Sequence, residues 1–552
     1  MTSPTLPQHD ADPVARRRAL DSARERYAYD ATVCPPFNLY HSLPGDEVFG
    51  VAYLTERLAA AANVPANALA VKLRTLFDRF DELQDYDDLF TFVARPAIAD
   101  TWRSDAAFAE QRLSGVETRV LRRVDHLPDN LRVDPGLFAA LTGAPLDQAR
   151  FEGRLFVADY ALLDGLPAGG ARDRSKFLYA PIALYCWTED PDATRDTPPS
   201  QRGRLVPVAI QLDQAPSKHN LYTPRDGLDW LLARTVAQNA DNTLCMMAHH
   251  VARVHLGLEP FAMATARQLG EGHPIGRLLR PHLRYLLVQD ELSRRLFVNP
   301  GGYIERLYGP TLEGSLEIAR RSFRQWRVDE WSFPRDLELR GLADDHLPHY
   351  PWRDDGRLVW AALSEFVAAY VRWCYPTDLD LALDAEIRAW LDELGDPARG
   401  NLRGLPRTPE RDSLADLITN VIFTSSPYHS AMNYRQAEYA THVPNYPMAL
   451  YSPMPGVRGV ADESHLLDML PPQSASLGQL EIVTLLTAYQ HDQLGHYETD
   501  DQLHDPPELH ELVVAFQERL VSAEQQIFQR NRERAVPYVG LLPSKLANSA
   551  SV

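Results

Sequence analysis

HHVARVHLGLEPFAMATARQLGEGHPIGRLLRPH, residues 249–282, opens with three histidines in seven positions. On a regular α-helix, two side chains that converge on one ion sit four residues apart and share a face. Here His249, His250 and His255 offer spacings of one, five and six. At about 3.6 residues per turn, positions five apart diverge by roughly 140°. A π-turn returns them to one face, and such bulges concentrate at functional sites. The cluster is therefore half of a metal site on a distorted helix, or a set of unrelated histidines with His249 turned to solvent. Spacing alone weighs the two readings equally.

The segment around it decides the fold class. Residues 227–269 form a helical pattern that is apolar almost all round, as expected of a helix through the centre of a large domain. Further helical periodicity covers 48–64, 70–90, 356–395, 409–440, 476–494 and 507–531. Strand-like runs occur only at 154–163, 177–187 and 204–212, separated by Gly-, Asp- and Pro-rich turns, with a surface loop at 190–203. The prediction is a mainly α single domain over residues 26–552, built around a long central helix with a small β element. Residues 1–25 are expected to be a partly disordered lead-in ending in a charged helix.

Composition narrows the function. The 552 residues are 45% hydrophobic and 24% charged, an ordinary globular balance. A net charge of −19 argues against nucleic acid as a partner, because phosphate binding needs a basic stripe. It leaves room for a fatty acid, whose single carboxylate needs one local cation. Cys34, Cys186, Cys245 and Cys374 are scattered without a CxxC pair, so neither a disulfide framework nor a zinc ribbon is expected. No secretory signal or membrane-spanning run is read, which predicts a soluble cytoplasmic protein.

A second candidate element lies in SSPYHSAMNYRQAEY, residues 425–439, where His429 and Asn433 stand at i and i+4 on an undistorted helical face. Imidazole with an amide oxygen suits a first-row metal such as iron. By itself the pair is a common accident of helical sequence.

Taken together these stretches resemble the lipoxygenases. The family signature has two ligand histidines separated by four residues, then EPF…AT.RQL, then HPI..LL.PH. It is matched by His250, His255, Glu259, Pro260, Phe261, Arg267, Gln268, Leu269, His273, Pro274, Ile275 and His282. The resemblance extends through WRSDAAFAEQRLSGV, RLVPVAIQL, NPGGYIE, PWRDDG, SPYHSAMNYRQ and the closing YVGLLPSKLANSAS, from about residue 30 to the end.

That resemblance implies a helical lipoxygenase-type catalytic domain, without the N-terminal β-barrel that many members carry, of the minimal bacterial type. It implies one non-haem iron, cycling between Fe2+ and Fe3+, on His250, His255, His429, Asn433 and the main-chain carboxylate of Val552; some members use manganese on a similar set. No side chain beyond the metal centre is implied as catalytic. Gln436 is the expected outer-sphere support. The implied reaction inserts O2 into a polyunsaturated fatty acid of the linoleate or arachidonate type, forming a hydroperoxide. It proceeds by hydrogen abstraction from a bis-allylic carbon by ferric hydroxide. The protein is expected to be a monomer with at most peripheral membrane contact.

The chain also departs from the family. Met246 stands where many members place a glutamine that links the metal shell to the pocket. Ser293 occupies the position where alanine accompanies S products and glycine R products, and its side chain favours S. Phe297 and Ile304 are the expected channel lining, with Leu307 and Tyr308 at the floor. Tyr446 replaces an arginine of plant members. Two other readings keep the fold: a fatty-acid hydroperoxide isomerase, encouraged by Met246 and Ser293, and a non-catalytic lipid-binding scaffold.

Overall fold

Residues 228–268 form one continuous helical rod, in which a π-helical segment, Cys245–His255, joins the α-helices Leu228–Leu244 and Leu256–Gln268. The computed structural model describes residues 4–74, 80–171, 174–217, 219–498 and 503–551. Nearly every residue of the rod is buried, polar ones included. Burying polar side chains is tolerable only when their hydrogen bonds are met. Here Gln238, Asn239 and Asn242 donate to the main-chain oxygens of Asn445, Pro447 and Tyr446 at 3.1, 3.1 and 2.8 Å. Asp241 takes a buried ion pair from Arg112 and accepts from the Tyr160 and Tyr446 hydroxyls. Tyr446 is thus a buried partner of the rod.

The other helical patterns wrap this rod. Leu312–Gln325 and Ala385–Gly395 pack against it, while the long helices Pro351–Cys374, Arg411–Phe423 and Pro507–Asn531 pack on one another; the 356–395 pattern is broken after Cys374 by a short capped turn before Ala385–Gly395. The 70–90 pattern falls on the α-helix Asn63–Arg74 and a 3-10 stretch, Leu83–Leu89; residues 75–79 lie outside the described residues.

The β element is an antiparallel meander of five strands: Leu121–Arg123, Leu155–Asp159, Ile182–Glu189, Gly203–Gln211 and Leu221–Tyr222. Its strands read as nearly continuous apolar runs because both faces are covered. Phe156, Ala158, Ala183 and Tyr185 face the main core, whereas Leu155, Val157, Leu184 and Cys186 face a smaller cluster built on Leu131, Phe138 and Ala149.

Two features near the N-terminus differ from the sequence reading. From residue 4 onwards the lead-in is packed: Asp12 caps the helix Pro13–Arg26, and Arg16 pairs with Glu386 at 2.6 Å and Asp10 at 2.8 Å. A hairpin of Tyr29–Cys34 and Phe37–Tyr40 follows, ahead of the first of the periodic helices. Its strands are short and turn through Pro35 and Pro36, too brief for a period-two signal to stand out.

Candidate metal centre

The π-helical segment performs the rotation that the five-residue spacing requires. His250 and His255 present their Nε2 atoms to one another at 3.2 Å, while His249 points away to Glu117. The third histidine arrives from a second distorted helix: Arg411–Phe423 runs into a π-helical stretch, Thr424–Tyr428, which ends at the short α-helix His429–Asn433. One candidate nitrogen from each of His250, His255 and His429 falls within 4.8 Å of the others, and among the described residues this is the group of three that stands out as metal-binding.

Several observations fit the cluster to a metal ion. Three donors with bonds of about 2.1 Å to one ion span at most about 4.2 Å, so small ring rotations suffice. Burial, then the neighbouring His255 and His429, holds His250 well below the usual imidazole range, which leaves it neutral and able to coordinate. Its Nδ1 is buried without a hydrogen-bond partner. His255 Nδ1 donates to Asp290 Oδ1 at 2.7 Å, which selects the tautomer whose Nε2 lone pair faces the cluster.

Asn433, fully buried, lies one helical turn after His429. Its Nδ2 donates to the Leu486 carbonyl at 2.7 Å, and Gln436 Nε2 lies 3.4 Å from its Oδ1. The Leu486 contact fixes which end of the amide donates and leaves Oδ1, which faces Gln436, as the acceptor end. Val552 lies outside the described residues, but the chain leading to it is buried up to Ser551. That strap is stitched in on several sides. Ser426 donates to the Ala547 carbonyl, and the Ala547 amide donates to Ser430 Oγ at 3.1 Å, so residues on either side of His429 grip it. His282 Nδ1 donates to the Asn548 carbonyl at 2.9 Å, and Tyr53 donates to the Ser551 carbonyl.

A narrow, mostly apolar cavity of about 120 Å³ opens beside the histidines. Met246, His250, His255, Ser293, Phe297 and Ile304 line it, all positions singled out in the sequence. Leu307 and Tyr308 do not. Both are buried behind the wall, with Leu307 packed on Gly478 and the Tyr308 hydroxyl 3.4 Å from Asn242 Oδ1. The short helix Tyr303–Leu307 ends there, so its successive side chains face different directions. The cavity is smaller than the usual ligand pocket of roughly 300–1,000 Å³, so a ligand of ordinary size would enter only as side chains rotate.

Sequence reasoning missed part of this wall. The hairpin supplies Val33, Cys34 and Leu39, and the helix Leu286–Leu296 supplies Gln289, Asp290 and Arg294. Asp290 carried no signal, since its partner His255 is 35 positions away. Behind it sits Glu259, which accepts from the Tyr40 amide at 2.7 Å; burial pushes Glu259 up to about 8 against the opposing pull of Arg294. A larger polar cleft lined by Glu47, Arg277 and Arg280 lies outside this wall and holds none of the candidate ligands.

Comparison with known proteins identifies the fold that carries these residues. A family model described as Lipoxygenase matches residues 197–538. The polyunsaturated fatty acid lipoxygenase ALOX8 of Mus musculus is 32% identical over 97% of this chain and 80% of its own length. The hydroperoxide isomerase ALOXE3 of Homo sapiens is 32% identical over 89% of this chain and 68% of its own. Among solved structures, a LOX variant crystallised anaerobically in complex with arachidonate superposes with a TM-score of 0.91 at 27% identity, over 100% of this chain and 84% of that one.

Proposed function

The chain belongs to the lipoxygenase family, and from that premise we propose that it is a dioxygenase that converts polyunsaturated fatty acids into hydroperoxides. It is an oxidoreductase that depends on a non-haem metal. The finer assignment is iron, held by His250, His255, His429, Asn433 and the Val552 carboxylate, with linoleate or arachidonate and O2 as substrates. The observation that carries it is the convergence of three buried imidazoles, two of which, His250 and His255, line an apolar cavity.

When bound, the metal supplies the one-electron redox chemistry needed to oxidise a bis-allylic carbon. The chain's own residues do the rest. The cavity wall of Phe297, Val298, Ile304, Leu316 and Leu486 excludes water and holds the acyl chain against the histidines. Asp290 keeps a proton on His255 Nδ1 and so keeps Nε2 free of one. Ser293 lines the same wall at the position where alanine accompanies S products and glycine R products in the family, and its side chain supports S products. Purified protein should hold about one iron per chain and convert linoleate into a conjugated-diene hydroperoxide. Folded, iron-loaded protein that leaves both fatty acids untouched would refute the assignment.

A second reading rests on Met246, which puts a thioether at the cavity where many members have an amide, and on the likeness to ALOXE3. In it the same site isomerises hydroperoxides. Supplying a fatty-acid hydroperoxide at low oxygen and looking for epoxyalcohols separates the two.

A further inference from the structure

Residues 504–511, HDPPELHE, lead into the helix Pro507–Asn531 and carry two histidines that the buried centre does not use. His504 and His510 are both exposed, yet their ring nitrogens meet. Nδ1 lies 3.1 Å from Nδ1, with ring centroids 5.3 Å apart and planes inclined at 61°. His250 and His255 of the buried cluster meet in nearly the same way: 3.2 Å between nitrogens, 5.0 Å between centroids and 47° between planes. Two imidazoles on one ion, at bonds of about 2.0–2.1 Å, stand roughly 2.9–3.4 Å apart between right-angled and tetrahedral geometry.

We infer that His504 and His510 form a second, exposed site for a divalent transition ion such as zinc, which staples the segment bracing the C-terminal strap to the long helix. The inference stands apart from the proposed reaction and needs no fatty acid.

The donor atom of His504 is set from behind. Its Nε2 donates to the Tyr497 carbonyl at 3.4 Å, which leaves the Nδ1 facing His510 with its lone pair. The Asp290 carboxylate treats His255 in the same manner, and a partner behind the ring is the common mark of a metal-binding imidazole. His510 is carried on the first turn of the helix, and Pro506 and Pro507 fix φ in the chain that joins the two histidines. Little freedom is left to lose when an ion arrives.

The surroundings select the ion. Asp505, Glu508 and Glu511 are exposed within the same eight residues, so the local field favours a cation. Imidazole nitrogens suit zinc, copper and nickel, whereas calcium and magnesium take oxygen ligands. Among the described residues no third histidine, cysteine or carboxylate joins the pair within coordinating reach. Water completes the coordination, and an exposed site supplies it freely.

What the ion would hold is the brace of the strap. The Leu494 amide donates to the Leu546 carbonyl at 2.7 Å, the Gly495 amide to Asn548 Oδ1 at 3.2 Å, and Asn548 Nδ2 to the His496 carbonyl at 2.7 Å. The Tyr497 hydroxyl meets His282, whose other ring nitrogen donates to the Asn548 carbonyl. The long helix already reaches this segment once, through Gln517, whose Nε2 donates to the Gly495 carbonyl at 2.8 Å. An ion on His504 and His510 adds a second tie, because His504 bonds the carbonyl of that same Tyr497.

The test is equilibrium dialysis of the full-length, tag-free, iron-loaded protein against micromolar zinc at neutral pH. Elemental analysis counts zinc and iron, and mass spectrometry follows backbone hydrogen exchange. Wild type should take up about one zinc per chain with its iron retained, and exchange should slow in residues 492–497 and 546–551. His504→Ala and His510→Gln should each bind zinc at least about tenfold more weakly while keeping iron, with exchange indifferent to zinc. His465→Ala, which removes an exposed histidine paired with Asp462 in another part of the chain, should bind as wild type does. Wild type that takes up no zinc overturns the inference, as does zinc gained only at the expense of iron. Binding that survives both histidine variants, or that magnesium displaces, belongs to other ligands and overturns it too. So does zinc that binds without slowing exchange in the strap. Each of these outcomes leaves the dioxygenase reading to its own test.

Discussion

His255 and Asp290 meet across two helices, Nδ1 to Oδ1 at 2.7 Å, with both side chains withdrawn from solvent. A carboxylate behind a metal-binding imidazole fixes its tautomer and strengthens it as a donor. Asp290→Asn keeps an acceptor but removes the charge, so metal should stay bound while the midpoint potential of the centre rises. Asp290→Ala should lower metal affinity by about 10–100-fold. Metal analysis and potentiometric titration of the ferric signal read both; an unchanged potential in the asparagine variant would remove Asp290 from the role.

Replacing His255 with Ala takes away one of three converging nitrogens. Bound metal should fall below about a tenth of the wild-type content at equal loading, with activity lost in proportion and the circular dichroism spectrum retained. One residue appended after Val552 should act in the same way if the terminal carboxylate is a ligand. A fully loaded, active extended protein would show that it is not.

The cavity wall separates two classes of substitution. Phe297→Ala and Ile304→Ala enlarge the space that receives the acyl chain and should shift the position of oxygenation. Leu307→Ala lies behind the wall. It should lower stability by about 2–5 kcal/mol while leaving the product distribution alone. Chromatography of the products beside thermal melts decides between them.

Ser293 lines the cavity at the position proposed to set stereochemistry. Ser293→Gly should raise the R fraction and Ser293→Ala should keep S dominant, both read by chiral chromatography of the reduced hydroperoxides. R product from the wild type would reverse the assignment.

Acid should loosen the fold through two buried histidines. Burial lowers His282 and His442 to about 4 from an ordinary value of 6.5. His282 is satisfied when neutral: Nδ1 donates to Asn548, and Nε2 lies 3.2 Å from the Tyr497 hydroxyl. Between pH 6.5 and 4 the unfolded chain therefore binds more protons than the native one, so stability present above 6.5 is lost as pH falls. Each histidine accounts for on the order of 3 kcal/mol. Melting temperature should fall across that window, and less steeply in His282→Asn. A flat profile from pH 7 to 4 would contradict the linkage.

Much of this architecture is legible in the amino-acid order alone. The apolar run of residues 227–269 is long enough to demand a buried rod, and a buried rod defines the domain. The five-residue step from His250 to His255 calls for a π-turn, and the helix has one, extended over Cys245–His255. His429 and Asn433 need no more than helical periodicity. Such patterns are local, repeating every few residues, and a chain displays them without being folded.

The class of fold, the family and the converging histidines are thus written in the chain itself. Their surroundings are set by packing in three dimensions. The hairpin that closes the cavity with Cys34 and Leu39, the carboxylate of Asp290 behind His255, and the strap gripped by Ser426 and Ser430 all join residues far apart in the chain. Packing also puts Leu307 and Tyr308 behind the wall rather than in it. Those relations arise between elements, where a few degrees of helix rotation choose which side chain faces the metal and which faces the core. No spacing rule encodes such a rotation, because it is set by the sum of contacts on every side.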